Sequence, residues 1–169
     1  QGLALAQAPV DVNKKVADLE AAVKSAQTAG DNAWMLASCA LVLLMTGPGL
    51  ALFYGGLVRR KNVLSTMMHS FILMALATII WAVYGYSMAF GGEGLIVANL
   101  SKLFLAGVTI DSLADTFTPD AKLPEYVFIA FQATFAGITC ALIVGSFAER
   151  IKFAAVLAFV VLWFTFCYL

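Results

Sequence analysis

Charge is scarce in this sequence. Asp, Glu, Lys and Arg make up only 12% of its 169 residues, against about 25% in an ordinary soluble domain. What charge there is sums to zero, and no Lys/Arg cluster alternates with aromatic residues, so nothing marks a nucleic-acid surface. Histidine occurs once, as His69, and cysteine three times. Cys39, Cys140 and Cys167 lie in apolar stretches without metal-like spacing and read as small buried hydrophobes. There is no Ser/His/Asp set beyond chance, no phosphate-cradling glycine loop, and no pair of carboxylates within an apolar stretch. Catalytic residues, a metal, a cofactor and an enzymatic activity are therefore not expected.

Apolar side chain is abundant instead: 62% of the residues are hydrophobic and the mean hydropathy is +0.92. A chain of this size can bury one core, but it lacks the polar residues to cover that core with a wettable surface. Lipid is the solvent that removes the contradiction, and the expected class is all-α, a polytopic helical membrane protein.

The spans follow from windows that hold no Asp, Glu, Lys or Arg: residues 32–58, 62–92 (interrupted only by the titratable His69), 126–148 and 153–169. About 20 residues at ~1.5 Å each cross a ~30 Å hydrocarbon core. The expected spans are therefore about 33–58, 63–90, 126–148 and 153–169, forming a transmembrane domain over 31–169 with a loop at 91–125. The last window is still apolar where the sequence stops, which raises the expectation of a longer protein. Arg59-Arg60-Lys61 and Glu149-Arg150-Ile151-Lys152 lie two crossings apart, share a side, and hold half of the ten Lys and Arg. The 91–125 segment is acidic, with Glu93, Asp111, Asp115, Asp120 and Glu125 against Lys102 and Lys122. The positive-inside rule places the basic loops in the cytoplasm and the N-terminus outside.

Residues 1–30 read as an extracytoplasmic tail. Gly2 to Ala8 looks like the end of a signal region with an A-x-A cleavage site, or equally a plain alanine-rich tail. Val12, Val16, Leu19 and Val23 recur at helical spacing among Lys14, Lys15, Asp18 and Glu20, which predicts a short amphipathic helix ahead of the first span. In the loop, Gly91-Gly92-Glu93-Gly94 and the prolines Pro119 and Pro124 mark turns. Leu100 to Val108 is apolar but too short to cross, and a short interfacial helix is expected there.

Within the spans, Thr46-Gly47-Pro48-Gly49 should kink or loosen the first helix, because proline removes a backbone donor. Freed carbonyls in lipid need protein or a cavity to receive them, so a multi-helix bundle is implied. In the third span Ala133, Gly137, Ala141 and Gly145 repeat every four residues, a seam along which another helix can approach closely. Roughly opposite stand Phe128, Phe131 and Phe135, with Gln132 and Thr134 at the same depth. Those rings either meet lipid and neighbouring helices or line a pathway that attracts a small cation, worth about 0.5–2 kcal/mol per ring. His69 is a candidate because it is ionisable within a span, although its closeness to Arg59-Arg60-Lys61 places it towards the basic loops. Glu149 and Arg150 can pair at the end of the third span, and Gly55-Gly56 ends the first or packs tightly.

Four linked stretches carry a resemblance. Gly49-Leu50-Ala51-Leu52-Phe53-Tyr54-Gly55-Gly56-Leu57-Val58-Arg59 with Lys61-Asn62-Val63-Leu64 resembles the first-span signature of the Amt/Mep/Rh ammonium transporter family, on its bacterial Amt side. Trp81-Ala82-Val83-Tyr84-Gly85-Tyr86-Ser87, Phe131-Gln132-Ala133-Thr134-Phe135-Ala136 and Ile143-Val144-Gly145-Ser146-Phe147-Ala148-Glu149-Arg150 fit the same family in the same order. The likeness runs from about Asp31 to Leu169 and covers the tail and the 91–125 loop poorly.

The resemblance implies the ammonium-transporter fold: a homotrimer of eleven-span, inverted-repeat protomers, of which this chain would be the first part. It implies transport of ammonium or ammonia across the cytoplasmic (inner) membrane through an apolar pore. Phe135 would be the pore gate and Phe131 a ring of the outer recruitment site. Leu50, Phe53 and Leu142 would line the pore or vestibule, and Ala133, Gly137, Ala141 and Gly145 would serve helix packing. The family's twin pore histidines would lie beyond Leu169, and His69 matches neither. Ammonium, the bilayer and a PII-type regulator at the cytoplasmic face are the implied partners. The alternative it implies is an ammonium sensor on the same fold, fused to a signalling domain beyond residue 169.

Overall fold

Asp11 starts the first helix. Its carboxylate accepts the backbone N–H groups of Asn13 and Lys14 at 3.1 and 3.3 Å, satisfying two of the donors that a helix start leaves open. The structure, a computed structural model, describes residues 11–92, 94, 97–116, 118 and 121–169. The Gly2–Ala8 stretch, Glu93, Pro119 and Asp120 lie outside the described residues.

Four helical segments follow one another: α1 (Val12–Leu57), α2 (Arg60–Phe90), α3 (Glu125–Phe147) and α4 (Phe153–Tyr168). The first three are long and apolar enough to cross a membrane, and the fourth is a shorter apolar helix. One expectation changes here. The amphipathic stretch from Val12 is not a separate short helix, because α1 runs unbroken through Gly30 and Asp31 into the apolar segment, 46 residues in all. At ~1.5 Å per residue that is about 70 Å, more than twice the ~30 Å hydrocarbon thickness.

Pro48 does not stop α1. The turn around it widens over Met45–Leu50, a π-type insertion of the kind that absorbs a lost backbone donor. Thr46 adds a side-chain bond to the Val42 carbonyl at 2.8 Å. Gly49 is needed for space, since a Cβ there would come within 3.3 Å of the Leu44 carbonyl oxygen, the group that proline leaves without its usual partner. Similar widened turns occur at Trp81–Gly85 and Phe164–Tyr168. These two lie side by side: Tyr84 and Thr165 share a hydroxyl hydrogen bond of 2.6 Å, and a Cβ on Gly85 would sit 3.3 Å from Phe164 Cε1.

The core lies between α2, α3 and α4. Leu73, Ala77, Ile80 and Trp81 meet Phe128, Ala136, Cys140 and Val144, and Val156, Val160 and Phe164 close the far side. Gly137 faces Met74, where a Cβ would stand 3.1 Å from Met74 Cγ. The Trp81 indole N–H donates to the Ile129 carbonyl at 3.3 Å, which satisfies a polar group that would otherwise be stranded in the core.

The segment between α2 and α3 also departs from expectation. No interfacial helix forms over 100–108; only a single 3₁₀ turn occupies Leu103–Leu105, with Phe104 and Leu105 at φ 54° and 60°. The reason is where the polar groups go. The Lys102 N–H donates to Ser87 Oγ, Ser87 Oγ to the Asn99 carbonyl, and Ser101 Oγ to the Gly91 carbonyl. These bonds fold the segment onto the end of α2 rather than onto itself. Beyond it β1 (Leu113–Asp115) pairs antiparallel with β2 (Lys122–Pro124), Asp115 opposite Lys122, and their side chains form a 3.2 Å ion pair.

Candidate functional site: a phenylalanine stripe and the cavity at its outer end

Glu125 opens α3 and anchors it. The residue is 3% exposed, and its carboxylate accepts the Tyr86 hydroxyl at 2.7 Å and is ion-paired with Lys102. The Lys102 ammonium also lies 5.5 Å from the Tyr86 ring centroid, within cation–π range. This triad, in which Glu125 and Tyr86 are buried and Lys102 is half-buried, joins the end of α2, the loop and the start of α3, and so fixes where the following helical turns point. The residue types alone do not announce it. The available signal is an acid in the first turn of a helix directly after Pro124.

From that anchor the stripe runs down α3. Phe128 is buried and packs edge-on against Phe90, centroids 5.1 Å apart. Phe131 and Phe135 form a second edge-on pair at 5.0 Å and 69°. Phe135 remains 38% exposed, and Phe131 is half-buried. A cavity of 370 Å³ opens between α1, the hairpin and the top of α3, lined by Asp31 and Trp34 on one side and by Leu123, Phe128, Phe131 and Gln132 on the other. Aromatic rings, the Asp31 side chain and the Gln132 amide line it together, a set of groups that can receive a small cation. Sequence reading missed Trp34 as part of this wall; it stands 70% exposed near the start of the apolar part of α1.

The other expected residues sit lower. Phe53 is 60% exposed and stacks edge-on with Tyr54 at 5.4 Å, and the Tyr54 hydroxyl donates to the Leu142 carbonyl at 2.8 Å. Phe53 and Leu142 are thus held at one level by Tyr54, and Leu142 is half exposed. Leu50 is half-buried in the widened turn of α1. On the seam, Gly137 and Ala141 are buried and Ala133 half-buried, while Gly145 lies against the Tyr54 ring, where a Cβ would come within 2.6 Å of Cε1.

His69 lies at the opposite end from the cavity. Its Nδ1–H donates to the Ser65 carbonyl at 2.6 Å and its ring meets Phe153 edge-on at 5.3 Å. It lines a second cavity of 170 Å³ with Asn62, Ser65, Thr66 and Glu149, beside the basic loops. Glu149, at φ 64°, takes the Arg59 backbone N–H and the Asn62 amide, each at 2.8 Å. Donation from Asn62 first, then from the Arg59 backbone, holds its carboxyl below the ordinary glutamate value. Among the described residues no group of three or more His, Cys, Asp or Glu side chains is placed to hold a metal ion.

Residues 33–169 match the Ammonium Transporter Family. An ammonium transporter of Mycobacterium tuberculosis (strain ATCC 25618 / H37Rv) is 51% identical over 152 residues, covering 82% of this chain and 31% of the relative. One from Bacillus subtilis (strain 168) is 47% identical over 141 residues, covering 82% and 33%. The crystal structure of Saccharomyces cerevisiae Mep2 superposes with a TM-score of 0.66 at 29% identity, over 81% of this chain and 30% of that one. The chain spans about a third of the length of the curated relatives it matches. Together with the apolar helices, these likenesses make it a multi-pass helical membrane protein. The chain belongs to the ammonium transporter family.

Proposed function

We propose that this chain is part of a transporter that passes ammonium or ammonia across the cytoplasmic (inner) membrane, with its N-terminus outside, and that Phe131 and Phe135 stand at the outer end of the path. The observation that carries the proposal is the ring pair at 5.0 Å, whose upper member lines a cavity shared with Asp31 and Gln132 and whose lower member keeps an open face. The relatives are named as transporters, which favours transport over the sensing alternative.

In this reading ammonium is drawn to the mouth by ring faces and by the Asp31 carboxylate, which offset part of its lost hydration. Phe135 then gates a narrow apolar path whose walls include Leu50, Phe53 and Leu142. Charge is penalised in such a path and hydrated alkali ions are held back. Ala133, Gly137, Ala141 and Gly145 set the helix spacing that keeps the path narrow. The remaining walls, with the family's pore histidines, come from residues beyond Leu169. The assembly is a homotrimer, and a PII-type regulator docks at the face that bears the basic loops.

Electrical recording of the complete protein in lipid tests this. Phe131→Ala should raise the half-saturating ammonium concentration by about two- to thirtyfold, the value of one ring–cation contact. Phe135→Ala should change the current and weaken discrimination against K⁺. Currents and ion preference identical to the unaltered protein in both variants would remove these rings from the path.

A further inference from the structure

Every residue of α1 from Val12 to Gln27 is exposed. Val12, Leu19 and Val23 are 65–66% exposed and Val16 is 47% exposed. Large apolar side chains left in a row in this way mark a surface meant to be covered, and among the described residues nothing packs on them. Their spacing says what kind of surface. The steps are four, three and four residues, and Ala26 and Gly30 continue the alternation. That is the 3.5-residue period of a seam between supercoiled helices, narrower than the stripe of a helix lying on a broad core.

The charges fit one partner. None falls on the seam. Lys14, Asp18 and Lys24 point away from it, while Lys15 and Glu20 flank it on opposite sides. In a parallel, in-register coiled coil the residue on one flank faces the residue five positions later on the opposite flank of its neighbour. Lys15 of one copy then meets Glu20 of the next. Membrane insertion enforces the same direction, because all copies enter the bilayer from this helix with one topology. The bilayer surface is a poor alternative occupant, since the helix is unbroken from Val12 into the span and a helix continuous with a crossing segment does not lie flat in the interface. A segment this short does not associate alone in water, but anchoring beside a neighbour in the membrane raises its effective concentration.

We propose that residues 12–26 zip against the same residues of neighbouring copies, forming a parallel coiled coil that stands off the membrane on the side opposite the basic loops. Cross-linking in the complete, membrane-embedded protein tests it. With the native cysteines replaced by alanine, single Val16→Cys, Leu19→Cys and Val23→Cys variants should oxidise to same-site disulfide dimers, because seam positions bring equivalent Cβ atoms into bonding range. Ala21→Cys, on the outward face, should lose that product. Lys15→Glu should slow the Val16→Cys cross-link about threefold, the scale of an exposed charge contact, and adding Glu20→Lys should restore it. If the cysteine-free background does not fold, benzoylphenylalanine at position 19 against position 21 in the native-cysteine protein gives the same readout. Seam positions that do not cross-link between copies, that cross-link within one chain or to a different protein, or that react no better than position 21 would overturn the proposal. The readout is cross-linked mass, so a failed transport assay leaves it intact.

Discussion

Both ends of the bundle are tied by an acid and a base, and the two ties are physically unlike. At the cavity end Glu125 has a side chain only 4% exposed, paired with Lys102 and hydrogen-bonded by Tyr86. At the basic-loop end Arg59 is 75% exposed and lies 3.6 Å from Glu149. Water screens the second pair, and the Glu149 bonds that count run to the Arg59 backbone and the Asn62 amide. In the first pair the carboxylate has little water to fall back on, so it depends on its partners. Burial, rather than the identity of the charges, decides which end a single substitution can release.

The largest effect should therefore come from Lys102. Lys102→Met takes the cation from the buried Glu125 carboxylate, which keeps the Tyr86 hydroxyl as a donor, and should lower stability by about 3 kcal/mol. Adding Glu125→Gln removes the stranded charge and should recover much of the loss. The thermal unfolding midpoint of the complete protein in detergent reads both. A Lys102→Met protein within about 0.5 kcal/mol of the parent would mean that the carboxylate is hydrated, and the contrast between the ends would collapse.

At the other end shape carries more than charge. Gly145→Ala puts a Cβ 2.6 Å from the Tyr54 ring, so Tyr54 must move and its 2.8 Å bond to the Leu142 carbonyl must stretch or break. Overpacking of this kind costs about 1–3 kcal/mol. Gly137→Ala is the control, since its neighbour at 3.1 Å is the flexible Met74 side chain, which can step aside. Equal losses in the two would show that the Tyr54 contact does not hold this end.

The same contrast explains what could be read before any coordinates. Uninterrupted apolar windows are a direct consequence of lipid solvation, so the crossing helices and the all-helical class were legible. Within α3 a four-residue repeat predicts a seam and a three-and-four-residue aromatic spacing a ring face, but burial does not follow that division, since Phe128 lies in the core and Gly145 is exposed. Glu125 was not legible as a buried group, because a charge at the edge of an apolar window looks like any loop residue until Lys102 and Tyr86 are brought to it from other segments. The hairpin was hidden for a similar reason: three-residue strands have no period to detect, and the Asp115–Lys122 pairing is a tertiary fact. The short amphipathic helix expected ahead of the first span is instead continuous with it through Gly30, since one glycine in a helix costs only about 1 kcal/mol.

The smallest effect belongs to the exposed tie and is visible only against pH. Asn62 and the Arg59 backbone donate to the ionised Glu149 carboxylate and hold its folded value below the ordinary one of 4.5. A depressed carboxyl contributes its full stability above the unfolded value and loses it as pH falls through the folded one. Glu149→Gln keeps the shape and the left-handed backbone but cannot titrate. The gap in unfolding midpoint between the parent and this variant should therefore hold steady above about pH 5 and shrink as the solution is made more acidic. If the gap instead stayed constant far into acid, the bonds to Asn62 and Arg59 would be neutral contacts, and the basic-loop end would be fastened by Tyr54 against Gly145 without help from charge.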